Sequence, residues 1–147
     1  MRPFRELRVW EESHQLTLDV YRATGLFPND DRFALTSQLR RVAYSAPSNV
    51  VEGTSRGDTE CRQFLRVALG SAAELEHGLP LARDIGYLAN AEHDSLTART
   101  LTVKRMLNAF IPRMNATIQP RANKLPVAGS QQPAANGQRP GTMEPAP

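Results

Sequence analysis

Hydrophobic positions recur at helical spacing in four stretches, and no segment alternates in the way a strand requires. The first helix, about residues 5–25, carries Val9, Ser13, Leu16, Val20 and Thr24 in one stripe, with Trp10 and Tyr21 at its edge. Gly25 and then Pro28 supply stop signals. A third helix, about residues 59–85, aligns Phe64, Leu65, Ala68, Ala72, Leu75, Leu79 and Ala82, with Asp58 as its expected cap. Pro80 should kink its last turns and Gly86 should end it. The fourth, about residues 91–114, follows an Asn90 cap and presents Leu96, Thr100, Val103, Leu107, Phe110 and Met114. Four amphipathic helices with short connections predict an all-α fold, an antiparallel up-down-up-down four-helix bundle.

The second helix, about residues 31–53, departs from simple amphipathicity. Leu35, Leu39, Val42, Ala43, Ala46, Val50 and Gly53 fall in one arc of about 100°, an ordinary core stripe. Gln38, Arg41, Ser45, Asn49, Glu52 and Arg56 form an adjoining polar ladder. Arg40, Tyr44, Pro47 and Val51 make a third, half-apolar line roughly opposite the core. A helix that packs only into its own bundle needs one apolar face. The second one, Tyr44, Pro47 and Val51, therefore predicts self-association. Pro47 cannot donate to the carbonyl of Ala43, so a bend is expected there, with Ser45 as the candidate donor to the freed backbone.

Composition changes near Gln119. The last 29 residues hold six of the eleven prolines and no aromatic residue, so residues 119–147 read as a disordered tail behind a 1–118 bundle. Removing residues 121–147 should leave helicity and oligomer size unchanged. The chain of 147 residues is +3 overall, and the tail supplies most of that excess. Net charge alone is thus weak evidence for a polyanionic partner. Distribution says more: between Arg32 and Arg66 stand six arginines and no lysine, opposed only by Glu52, Asp58 and Glu60. Arginine makes bidentate contacts to phosphate and carboxylate that lysine does not reproduce. The N-terminus lacks the apolar run of a signal peptide and no stretch has the length of a membrane span, which predicts a cytoplasmic protein.

Catalytic chemistry finds little support. Two Glu-x-x-His pairs, Glu11/His14 and Glu74/His77, have the spacing of di-iron bundles, with Glu52 and Glu92 as nominal companions. On the helical wheel both pairs point away from the core stripe, where metals would bind, so neither a metal nor a cofactor is expected. There is no phosphate-cradling glycine loop, His-Glu-x-x-His run or nucleophile elbow. The lone Cys61 excludes an intrachain disulfide and lies on an apolar arc, as a buried structural cysteine would. His93, near the start of the fourth helix, reads as solvated.

The polar ladder admits three uses: a solvated strip, a subunit interface in which Arg41 or Arg56 meets Glu52 of a neighbour, or a nucleic-acid surface. Arg41 and Glu52 stand about 16 Å apart along the helix and cannot pair within it. For nucleic acid the candidate contacts are Arg40, Arg56, Arg62 and Arg66, with Arg62 and Arg66 one turn apart on the flank of the third helix.

The segments FRELRVWEESHQLTLDVYRATGLFP, ALTSQLRRVAYSAPSNVVEGTSRG and RQFLRVALGSAAELEHGL resemble the bacterial four-helix-bundle proteins, also called 23S rRNA-intervening-sequence proteins. The most specific matches are Gln38, Arg41, Ser45, Pro47, Asn49, Glu52, Gly53 and Arg56, followed by Phe64, Gly70, Ser71 and Glu74. The likeness is close over residues 4–88 and looser over the fourth helix; the tail lies outside it. The resemblance implies a homopentamer and no catalytic residues. A related branch, the accessory variability proteins of diversity-generating retroelements, forms basic pentamers that bind nucleic acid and a reverse transcriptase. The leading expectation is a non-enzymatic oligomeric bundle that binds RNA or DNA as a scaffold or accessory factor. Its alternative is a protein-interaction scaffold without nucleic-acid binding, and a di-iron enzyme stands a distant third.

Overall fold

A computed structural model describes residues 3–31 and 33–117, with side chains through 113. The expected tail lies outside the described residues. A short 3-10 turn, Phe4–Glu6, leads into α1 (Arg8–Thr24); a second, Asn29–Asp31, precedes α2 (Leu35–Thr54); α3 (Asp58–Asp84) and α4 (Asn90–Thr117) follow. Among the described residues there is no strand, and no helix is long and apolar enough to cross a membrane.

Side-chain contacts fix the direction of every neighbouring pair. Between α1 and α2, Thr17 reaches Ala43 while Thr24 meets Arg40, so residue numbers fall on one helix as they rise on the other. Between α2 and α3, Ser45 meets Ser71, and Gly53 near the end of α2 lies against Cys61 and Phe64 near the start of α3. Between α3 and α4, Glu76 pairs with Lys104 and Arg83 approaches His93. Arg99 of α4 closes the ring of helices on Asp19 of α1, at 3.1 Å. The three consecutive pairs run antiparallel, so α4 also runs opposite to α1, an arrangement compatible with the expected up-down-up-down bundle.

The expected stripes form the core. Val9, Leu16 and Val20, then Leu39, Val42, Ala43 and Val50, then Leu65, Ala68, Ala72, Leu75 and Leu79, then Leu96, Val103 and Leu107 are buried together. Buried hydroxyls are satisfied by their own helices: Thr24 donates to the carbonyl of Val20 and Thr100 to that of Leu96, each at 2.7 Å. At the end of α3, Gly86 takes φ +85°, and its amide and that of Tyr87 return to Arg83 and Ala82 at 3.0 and 2.9 Å. That Schellman closure needs a residue tolerant of the left-handed region, hence glycine.

Some boundaries move. Helix α2 starts at Leu35 rather than near Asp31, because residues 29–31 take the tighter 3-10 form. Asp31 caps α2 from outside, its Oδ2 accepting the Thr36 amide at 3.2 Å. Asp58 is the first residue of α3, not its cap; Gly57 holds the extended cap position and no side chain caps it. Asn90 likewise opens α4 from within.

Pro47 sits inside α2, and the partner of the freed Ala43 carbonyl is Thr17 of α1, not Ser45. The Thr17 hydroxyl is shared between the carbonyls of Ser13 and Ala43, each at 2.9 Å. A gap left by one helix is filled by its neighbour. Thr17→Val keeps the shape and leaves that buried carbonyl without a donor, so it should cost about 1–3 kcal/mol in urea unfolding. Thr17→Ser should restore most of the loss.

Candidate functional site

The polar ladder lines the α2–α3 crossing. The Ser45 and Ser71 hydroxyls lie 2.7 Å apart, and the Asn49 amide donates to the Ser45 carbonyl at 2.7 Å and to its hydroxyl at 3.0 Å. These three side chains form a half-buried polar seam that joins the two helices. Towards the α2 N-terminus, Arg41 donates to Gln38, and both are exposed. Towards its C-terminus, the Arg56 guanidinium donates through Nε to Glu52 at 2.9 Å and through Nη1 to Glu60 at 3.3 Å. It also lies over the Phe64 ring, 5.3 Å from the ring centre. Hydrogen bonding to Glu52, then to Glu60, raises its pKa further and holds it charged.

Within the chain Glu52 pairs with Arg56, four residues on in the turn that follows α2. Three of the four candidate phosphate contacts, Arg40, Arg56 and Arg62, are likewise engaged within the chain. Arg56 is occupied by two carboxylates. Arg40 donates to the Thr24 hydroxyl at 2.8 Å and to the Tyr21 carbonyl at 3.3 Å, and lies 4.6 Å from the Tyr21 ring centre. Arg62 is half-buried, and Arg66, one turn on, is exposed with no ion pair among the described residues.

The second apolar line of α2 divides. Tyr44 is 61% exposed, but Pro47 is buried and Val51 half-buried. Pro47 therefore belongs to the α1–α2 packing, not to an open oligomer face, because α1 covers that flank of α2. The exposed apolar surface there comes instead from Tyr21 and Leu18 of α1 alongside Tyr44. Neither α1 residue was singled out for this role by sequence pattern, although Tyr21 marks the edge of its stripe.

On the other flank, α2 and α3 approach closely. A Cβ on Gly53 would stand 2.9 Å from Phe64 Cβ, and one on Gly78 would stand 2.7 Å from a Leu39 methyl. Above that second contact opens an apolar groove of about 500 Å³, floored by Leu39 and Val42 and rimmed by Gln38, Glu74, His77 and Leu81. Gly70 behaves differently: its Cβ would meet nothing.

The nominal metal groups lie at the surface. Glu11, His14, Glu52, Glu74, His77 and Glu92 are all exposed, and His14 stacks on Trp10 at 4.8 Å. Among the described residues no three His, Cys, Asp or Glu side chains converge as a metal site would require. Cys61 is buried, and desolvation, then the charge of Asp58, pushes its thiol pKa up, away from a nucleophile's range. His93 corrects the expectation of a solvated side chain. It is 8% exposed, with Nδ1 3.0 Å from Asp94 and 3.5 Å from Arg83.

A four-helix bundle with a polar seam between its second and third helices defines the class. The model of the 23S rRNA-intervening sequence protein family matches residues 5–109, and the chain belongs to that family. A crystal structure of a protein of unknown function from the S23 ribosomal protein family of Bacteroides thetaiotaomicron VPI-5482 has the same fold. It superposes with a TM-score of 0.66 at 20% identity, over 71% of this chain and 95% of that one. No curated protein matches the chain.

Proposed function

We propose that the chain is a non-enzymatic bundle that closes into a homo-oligomer, a pentamer on the family resemblance. That assembly binds RNA or DNA in the cytoplasm as a scaffold or accessory factor. The observation that carries this reading is Arg66 on α3, which is exposed, stands one turn after Arg62 and has no ion pair among the described residues. Glu52, Asp58 and Glu60 lie at the same end of the bundle, so the positive charge is local to this flank of α3 and does not extend over the whole end. A closed ring repeats the Arg62/Arg66 pair once per subunit, and phosphate contacts then add. Arg66, exposed and unopposed, is the leading contact, with Arg62 beside it. The occupied guanidiniums of Arg40 and Arg56 favour the alternative, a scaffold for a protein such as a reverse transcriptase.

Light scattering of the full chain should give a single closed oligomer at micromolar concentration. Fluorescence anisotropy with a short labelled RNA and its DNA counterpart should show binding at low ionic strength, with little sequence preference. An oligomer that binds neither nucleic acid would replace this reading with the protein scaffold.

A further inference from the structure

We infer that the outward face of α3 and α4 is a docking surface for the phosphate backbone of double-stranded nucleic acid, with Arg105 of α4 as a contact beside Arg66. This rests on the nucleic-acid reading above and gives it a substrate class and a second helix. Charge along α4 is one-sided: after Asp94, residues 95–117 include Arg99, Lys104, Arg105 and Arg113 and no carboxylate. Two of these cations serve the bundle itself. Arg99 bridges to Asp19 of α1 at 3.1 Å, and Lys104 to Glu76 of α3 at 2.6 Å. Those contacts fix the rotation of α4, and Arg105, about 100° round from Lys104, falls on the outward side between them. It is exposed, donates to the Thr102 hydroxyl at 3.2 Å and pairs with no carboxylate among the described residues. Arg66 stands about 80° from Glu76 on α3, so both arginines turn to the same side of the bundle. With Glu76 and Lys104 as the register, they lie about 13–14 Å apart along its axis.

Opposing charge is neutralised on this face or lies off it. Between Glu60 and Asp84, α3 carries two carboxylates: Glu76 is bridged to Lys104, and Glu74 rims the groove on the α2 side. Asp84 and Asp94 mark one end of the face and Asp58 the other. Gly70, Ala73 and Ala109, exposed between the two arginines, project little, so a stiff rod can rest on both cations. The occupant follows from what the face lacks. Single strands are held by cations together with aromatic rings on which their bases stack. The aromatic residues of α3 and α4 are Phe64 and Phe110, both half-buried, one under Arg56 and the other in the α1–α4 cleft. The exposed rings of Tyr21 and Tyr44 lie on the opposite, α1–α2 flank. Cations without stacking platforms suit a duplex, whose bases already stack inside and whose phosphates lie outermost. Such contact does not read the sugar, so RNA and DNA duplexes are equivalent occupants.

The test is an anisotropy titration of the full chain at several salt concentrations, against labelled duplexes of about 20 base pairs and against their separated strands, in RNA and in DNA. Each duplex should bind about tenfold tighter than its strands, and the two duplexes should agree within about threefold. Arg105→Glu should lower duplex affinity about tenfold and flatten the salt dependence, with circular dichroism and sedimentation unchanged. Arg105→Lys should stay within about threefold of the wild type, because a phosphate meets the charge and not a contact internal to the fold. Arg41→Glu, likewise exposed but on the α2 flank, should change duplex affinity less than about twofold. An Arg105→Glu protein that binds duplex as the wild type does, or an equal loss in Arg41→Glu, would overturn the assignment of this face. Strands that bind as tightly as their duplex would overturn the substrate class, and a strong preference for one duplex would overturn backbone-only contact. A chain that binds none of these probes at low salt would overturn this inference together with the reading beneath it.

Discussion

Gly53→Ala should destabilise the protein, whereas the same chemical change at Gly70 should stabilise the protomer. Both glycines lie inside helices, where glycine costs about 0.5–1 kcal/mol relative to alanine. At Gly70 the new methyl meets nothing, so that propensity gain should appear in full. At Gly53 the methyl would stand 2.9 Å from Phe64 Cβ and 3.2 Å from the Cys61 carbonyl oxygen. Neither neighbour is the loose end of a flexible chain, so α2 and α3 must part. Overpacking of this kind costs about 1–3 kcal/mol and outweighs the propensity gain. Gly53→Val carries two further methyl groups into the same crossing and should lose about 3 kcal/mol. Urea unfolding at a fixed protein concentration, under conditions where the protomer is the folded species, separates these cases by sign. A stabilised Gly53→Ala would show that the crossing is looser than its geometry implies.

The fold was legible because core burial follows helical period, and a period survives without knowledge of neighbours. Val9, Leu16, Leu39, Val50, Leu65, Leu79 and Leu107 all follow from it. What a wheel cannot supply is which flank of a helix a neighbour covers. Pro47 lies about 80° from Leu39 on the wheel, on the side that α1 then occupies, so an apparently open line became half interior. His93 follows the same logic: local sequence places it in a first turn, whereas α3 brings Arg83 beside it. The Thr17–Ala43 bond joins residues 26 apart, and only the tertiary arrangement reveals it.

The candidate site was less legible, and unevenly so. The Glu52–Arg56 pair is an i,i+4 spacing visible in the sequence. Glu60 joins that pair only because the turn at residues 55–57 brings α3 back beside α2. The Ser45–Ser71–Asn49 seam explains why small polar residues occupy a crossing that apolar ones could fill. Larger side chains would hold α2 and α3 apart, and an unbonded polar one would carry a desolvation cost. The family-specific ladder is therefore partly architecture, which leaves α3 to carry the nucleic-acid reading.

Replacing Arg62 and Arg66 together with Glu should lower affinity for RNA or DNA at least a hundredfold at low salt and leave the oligomer intact. The two residues stand one turn apart near the start of α3, so an oligomer repeats the pair once per subunit. Each phosphate neutralised releases condensed counterions, and log K falls with log[salt] by about 0.7 per contact on single strands and 0.9 on duplex. Roughly six to ten contacts across the assembly would cost about 10³–10⁵ in affinity between 50 and 200 mM salt. Charge reversal removes contacts and adds repulsion, so both the affinity and the steepness of the salt dependence should drop. Arg56→Gln should act differently, because its guanidinium already serves Glu52 and Glu60. It should disturb the α2–α3 turn more than it disturbs the salt slope. Anisotropy titrations at several salt concentrations, with sedimentation to verify assembly, measure both quantities. A double-Glu variant that binds as the wild type does, with an unchanged slope, would remove α3 from the interface and return the arginines to structural use.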